Sequence, residues 1–106
     1  MADYILILVT AGSEPEAEKI ARALVEERLA ACVNIISPIR SIYRWEGKVQ
    51  DDHEWLLVIK TQATHFAAIE ARVKALHSYQ VPEVIALPIV AGSEQYLGWL
   101  VSESES

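Results

Sequence analysis

Hydrophobic residues follow two rhythms along this chain. Tyr4 to Thr10, YILILVT, is apolar at odd and even positions alike, the mark of a central strand buried on both faces. Ser13-Glu14-Pro15-Glu16 then reads as a helix start. Ser13 is a good N-cap, Glu16 three residues on completes a capping box, and Pro15 sits where a missing N–H costs nothing. Ala17, Ile20, Ala21, Leu24 and Arg28/Leu29 form one stripe and predict a helix to about Ala30, with Glu18, Lys19, Arg22, Glu26 and Glu27 toward water. From Ala31 the period shortens to two. Val33, Ile35, Ile39 and Tyr43 share one strand parity, and Ile36, Arg40, Ile42 and Arg44 share the other. Pro38 falls in the middle and points to an edge strand or a bend. Trp45-Glu46-Gly47-Lys48 reads as a turn, and Val49 to Thr61 as a second long arm of the hairpin. Phe66, Ile69, Val73 and Leu76 are spaced as one helical stripe and predict a helix from His65 to about His77. Glu83 to Val90 reads as a fourth strand, placed at an edge by Pro88. Ser93 caps a last helix from Glu94 to about Val101.

The order β-α-β-β-α-β plus a terminal helix predicts an α+β fold, the ferredoxin-like split βαβ sandwich with an antiparallel sheet. Residues 1–101 form one domain in this reading, and the acidic tail Ser102–Ser106 is expected to be disordered. Ala-Gly-Ser-Glu at 11–14 returns at 91–94, which we read as two similar caps. Both main helices cover one face of the sheet, yet the strands are apolar on both parities, so the second face also wants burial. This predicts an obligate homo-oligomer with sheets packed face to face and the hairpin reaching a neighbour.

Composition sharpens that expectation. A chain of 106 residues that is 52% hydrophobic has little interior in which to hide its apolar side chains. Nine basic residues against fifteen acidic ones give a net charge of −6, which argues against nucleic acid as a partner. Tyr4 to Ala11, the longest uncharged apolar run, is too short to span a bilayer and lacks the features of a signal peptide. The single cysteine, Cys32, excludes an intramolecular disulfide and any cysteine-pair metal motif, so a cytoplasmic setting is expected.

Candidate chemistry is sparse. His77 reads as a partly exposed residue closing a helix, His65 as surface, and His53 within Asp51-Asp52-His53-Glu54 as a solvated hairpin segment. Cys32 reads as a buried, inert thiol, although as a soft ligand it suits copper. Ser13 lacks the surroundings of a nucleophile, and there is no phosphate loop. The numerous aromatics fit interface anchors, and Trp45, Lys60, Tyr79 and Glu83 are candidates to line a cleft between subunits. An acylphosphatase-type hydrolase would need a phosphate cradle, for which Arg40, Arg44 and Lys60 are the candidate cations. An RNA-recognition module would need a basic sheet that the charge does not provide.

Five runs are more specific: ERLAACVNI (27–35), SIYRWEGKVQDD (41–52), IKT (59–61), VPEVIALPI (81–89) and YLGWL (96–100). Together, and in this order, they resemble the CutA divalent-cation tolerance family over nearly the whole chain. The resemblance implies a ferredoxin-like subunit in a tight homotrimer similar to the PII signalling proteins. It further implies tolerance to copper and other divalent cations and no established catalysis. Of that family's suspected copper ligands His77 remains, and with Cys32, a soft thiol by its own chemistry, it makes the candidate metal pair. The chain departs from the family pattern where Ser78 and Gln80 replace a proline and an acid. It departs again where Val9 and Leu76 stand at positions that hold a cysteine and a histidine in some members. Such a copper site is therefore depleted here.

Overall fold

In the computed structural model, residues 3–105 are described. β1 (Tyr4–Ala11) lies in the middle of a four-stranded antiparallel sheet of order β2-β3-β1-β4, as its two-faced apolar run requires. α1 (Glu14–Glu26) starts where the sequence predicts, with the Glu16 N–H donating to Ser13 Oγ at 3.4 Å. It ends four residues earlier than the predicted Ala30. Arg28 turns into the left-handed region (φ 61°), and the N–H groups of Leu29 and Ala30 both donate to the Leu24 carbonyl at 3.0 and 3.1 Å.

β2 (Cys32–Trp45) and β3 (Lys48–Gln62) form the long hairpin, closed by a two-residue turn in which Glu46 (φ 50°) and Gly47 (φ 78°) both have positive φ. The predicted parity of β2 does not hold along its length. Ile36 faces Leu56 but Ile39 faces Glu54, so a bulge at Ser37-Pro38 flips the alternation. Beyond it, Ile39, Ser41, Tyr43 and Trp45 share the sheet face of Glu54, and Arg40 turns to the other. Both strand prolines lie on edge strands, as expected.

A 3₁₀ turn (Ala63–His65) leads into α2 (Phe66–Leu76). β4 (Ile85–Pro88) is only half the predicted length, pairing from Leu8↔Ile85 to Ile5↔Pro88. α3 (Glu94–Glu103) is capped by Ser93, whose Oγ accepts the Tyr96 N–H at 3.2 Å. It overruns the predicted end at Val101, and the expectation of disorder from Ser102 is corrected. Ser104 is fully buried; its Oγ–H donates to the Leu100 carbonyl at 2.6 Å and Oγ accepts from Gln62 Nε2 at 3.0 Å. The Arg28 guanidinium donates to the carbonyls of Ser102 (2.6 Å) and Glu105 (2.5 Å). These long-range partners give a polar tail what its composition lacks. Ser106 lies outside the described residues.

Ile5, Ile7, Val9, Leu57 and Ile59 pack against Ile20 and Leu24 of α1 and Ile69 and Val73 of α2, and this is the core. The opposite parity, Leu6, Leu8, Leu56 and Val58, is only half-buried, and Ile85 (51%) and Leu87 (43%) are exposed beside it. α3 lies against Lys60 and Gln62 at one end of this second face. A groove occupies the other end.

Candidate functional site

The groove has a volume of about 760 Å³ and lies between the hairpin residues Ile39–Trp45, the ends of β1 and β3 at Thr10, Glu54 and Leu56, and the segment Tyr79–Glu83. Its geometry is set from behind by His77, the C-cap of α2. The sequence reading has this residue partly exposed; its side chain is fully buried (0% exposed). Nε2 lies 2.7 Å from the Thr10 carbonyl, an oxygen that only accepts, so Nε2–H is the donor. Nδ1 accepts the Tyr79 N–H at 3.0 Å. Glu16 closes the arrangement: Oε1 is 3.2 Å from Nδ1 and accepts the Ser78 N–H at 3.3 Å and its Oγ–H at 3.1 Å. The capping box is thus one-sided, because the Glu16 carboxylate holds the 77–79 segment.

Tyr79, so placed, packs on His77 with ring centroids 4.6 Å apart and the planes tilted by 49°, and donates its hydroxyl to Glu54 Oε2 at 2.8 Å. Gly12 permits this approach, since a Cβ there would lie 3.0 Å from the tyrosine oxygen. Burial, then the carboxylate acceptor, raise the Tyr79 hydroxyl above its ordinary pKa, so it stays a donor. Glu54 is 6% exposed. Its charge is felt by Glu83, whose carboxyl is raised first by desolvation and then by Glu54. Arg40 is the one cation in the lining. Its guanidinium grips Asp51 through Nε–Oδ1 (2.8 Å) and Nη2–Oδ2 (2.5 Å). Glu54 and Glu83 are left as surplus negative charge.

Of the residues singled out in the sequence, Trp45, Tyr79 and Glu83 line this groove. Lys60 does not. It pairs with Leu6 and Cys32, and its Nζ lies 5.9 Å from the Tyr96 ring centroid. The structure also does not bring His77 and Cys32 together. His77 binds Thr10, opposite Leu56, whereas Cys32 is opposite Lys60, four residues further along β3, roughly 13 Å away. Both His77 nitrogens are engaged within the chain, and the half-buried Cys32 thiol meets Asn34 Oδ1 at 3.7 Å. Among the described residues no three His, Cys, Asp or Glu side chains converge as a metal site. The pair does not fit a copper centre within one chain. Sequence reading missed Thr10, Tyr43 and Glu54 as lining residues. A signal existed for Glu54, an acid on the parity of the apolar Leu56 and Val58.

A helix-backed antiparallel sheet with an extended hairpin and a carboxylate-lined groove defines a small α+β protein with an open cleft on its second sheet face. The model of the CutA1 divalent ion tolerance protein family matches residues 5–103, and the chain belongs to that family. It is 56% identical over 95 residues to the divalent-cation tolerance protein CutA of Thermus thermophilus, covering 90% of this chain and 92% of that protein. It is 48% identical over 102 residues to the chloroplastic CutA of Arabidopsis thaliana, covering 96% of this chain and 56% of that longer protein. The structure of the periplasmic divalent cation tolerance protein CutA from Archaeoglobus fulgidus superposes with a TM-score of 0.94 at 43% identity, over 96% of this chain and 99% of that one. Among the described residues no helix is long and apolar enough to cross a membrane.

Proposed function

We propose that this chain acts as a homotrimeric, non-catalytic divalent-cation response module of ferredoxin-like plan and PII-like assembly, working in the cytoplasm. The strand order β2-β3-β1-β4 with both main helices on one face supports the plan. The observation that carries the assembly is the second sheet face, where Ile36, Ile85 and Leu87 lie exposed beside the half-buried Leu6, Leu8 and Val58. Light scattering at micromolar concentration tests it: three chain masses are expected, and a stable monomer sinks the reading.

Each chain brings a net charge of −6, which favours divalent cations near the assembly. Binding of this kind weakens as ionic strength rises, and salt-independent binding counts against it. A copper site using His77 and Cys32 would have to draw them from different chains and free Nδ1 from Tyr79. Unchanged copper affinity in both His77→Ala and Cys32→Ala rejects that site. The acylphosphatase alternative is less well supported, because Arg40 is held by Asp51 and Lys60 lies at the far end of the sheet.

A further inference from the structure

Behind the groove, one nitrogen faces two partners that ask opposite things of it. His77 Nε2–H donates to the Thr10 carbonyl at 2.7 Å, so Nδ1 of the neutral ring is a bare acceptor. It accepts the Tyr79 N–H at 3.0 Å. Glu16 Oε1 stands 3.2 Å from the same Nδ1, acceptor against acceptor, with no proton between them. The neutral ring does not draw the carboxylate there. Ser78 holds it in place, through its N–H at 3.3 Å and its Oγ–H at 3.1 Å.

A proton on Nδ1 reverses the assignment. Nδ1 becomes a donor, and Glu16 Oε1 is already within reach as its charge-assisted acceptor. The Tyr79 N–H then faces another N–H and loses its acceptor. Nε2–H keeps the Thr10 carbonyl in both states, so the ring need not move. The proton comes from solvent; an N–H bond forms at Nδ1 and no covalent bond breaks. Glu16, with 17% of its side chain exposed, connects the sealed ring to water.

The charged and titratable groups around the ring come from four elements. α1 contributes Glu16, and β1 only the Thr10 carbonyl. The following segment contributes Ser78, Tyr79 and, further on, Glu83. β3 places Glu54 behind the tyrosine, and the hairpin places Tyr43 near it with its hydroxyl on Asp52. The cations of α2 are engaged elsewhere, Lys74 with Glu70 at 3.2 Å and Arg72 with Glu27 at 2.8 Å. His77 is enclosed by its own chain, so a second copy over the groove alters none of the ring's partners.

We propose that His77 is a proton-operated switch: neutral, its Nδ1 holds the Tyr79 N–H, and protonated, it takes the Glu16 carboxylate instead and loosens the Tyr79–Glu83 wall of the groove. This goes beyond the divalent-cation reading and does not rest on it.

Nitrogen-15 NMR of the full chain, with a chelator present, tests the switch from about pH 8 to about pH 5, where imidazoles titrate. The His77 ring and the Tyr79 amide are expected to move with one midpoint. Tyr79 amide exchange, corrected for its intrinsic pH dependence, should be about tenfold faster in the protonated state. Glu16→Gln removes the charged acceptor and should lower the midpoint by about one pH unit. His77→Gln should make the Tyr79 amide insensitive to pH over this range, whereas His53→Gln and His65→Gln, at the other two imidazoles, should leave its response unchanged. Should His77→Gln not fold, Glu16→Gln decides. A ring that keeps one protonation state, a Tyr79 amide that ignores the ring's titration, an unmoved midpoint in Glu16→Gln, or a response that survives in His77→Gln overturns the proposal.

Discussion

An imidazole whose two nitrogens are both engaged and whose side chain is sealed from water is a construction element. His77 ties the end of β1 to the segment that carries Tyr79. His77→Ala strands the Thr10 carbonyl and the Tyr79 N–H and leaves a void, so a loss of about 3 kcal/mol in urea unfolding is expected. A loss below 1 kcal/mol would mean the network is replaceable by water. Glu83 carries the opposite sign of argument. Its folded pKa lies above its unfolded one, so the folded state holds the proton more tightly. Stability therefore falls as pH rises from about 4, the unfolded value, through the folded one. Glu83→Gln should raise the melting temperature at neutral pH, with the gain vanishing below about pH 4. A constant gain at all pH values would assign it to something other than charge. Neither role was legible in the sequence. His77 reads as a helix terminator, because its partner Thr10 is 67 positions away. Tyr79 and Glu83 read as cleft residues from type and neighbourhood alone.

At the scale of elements, the chain announces its own punctuation wherever the cause is local. Gly47 in a two-residue turn, Ser13 and Ser93 as caps, and prolines confined to edge strands all follow from what neighbouring residues permit. Two elements misread share a different cause. The end of α1 and the length of α3 depend on each other through Arg28, whose guanidinium serves carbonyls at the far end of the chain. Arg28 also occupies a left-handed conformation that only glycine adopts without strain. Arg28→Ala should therefore destabilise by about 1–2 kcal/mol, and Arg28→Gly by about 1 kcal/mol less, because relief of φ offsets part of the lost bonding. Equal losses in equilibrium unfolding would place the whole effect in the guanidinium. The Pro38 bulge is an intermediate case. The proline flagged irregularity, but only the pairing of Ile36 with Leu56 and Ile39 with Glu54 reveals that parity flips and which side chains enter the groove.

For the whole molecule, the sequence was most informative where burial is most one-sided. Apolar runs on both parities of β1 and β3 marked a sheet with one face too many for two helices, and the structure leaves that face uncovered between α3 and the groove. Leu87→Lys places a charge there without touching the helix-backed core. In sedimentation it is expected to reduce the assembly to smaller species while leaving helical content unchanged; an unaltered mass would place the interface elsewhere. The groove is only partly legible in the sequence, because it is made by segments distant along the chain and by a parity change that no periodicity displays.

The sheet order has a consequence for how the chain is made. Of the four strands β1 is synthesised before the others, yet its two partners, β3 and β4, follow the hairpin turn and α2. The hairpin, by contrast, closes outward from Trp45 and Lys48 through contacts close in sequence. In pulse-labelled hydrogen exchange the amides of the hairpin near its turn should gain protection before those of Ile5–Leu8, and simultaneous protection would count against this order. The most apolar strand is thus made before either of its partners and enclosed after the hairpin has formed, so its escape from aggregation rests on how quickly the hairpin presents it with a template.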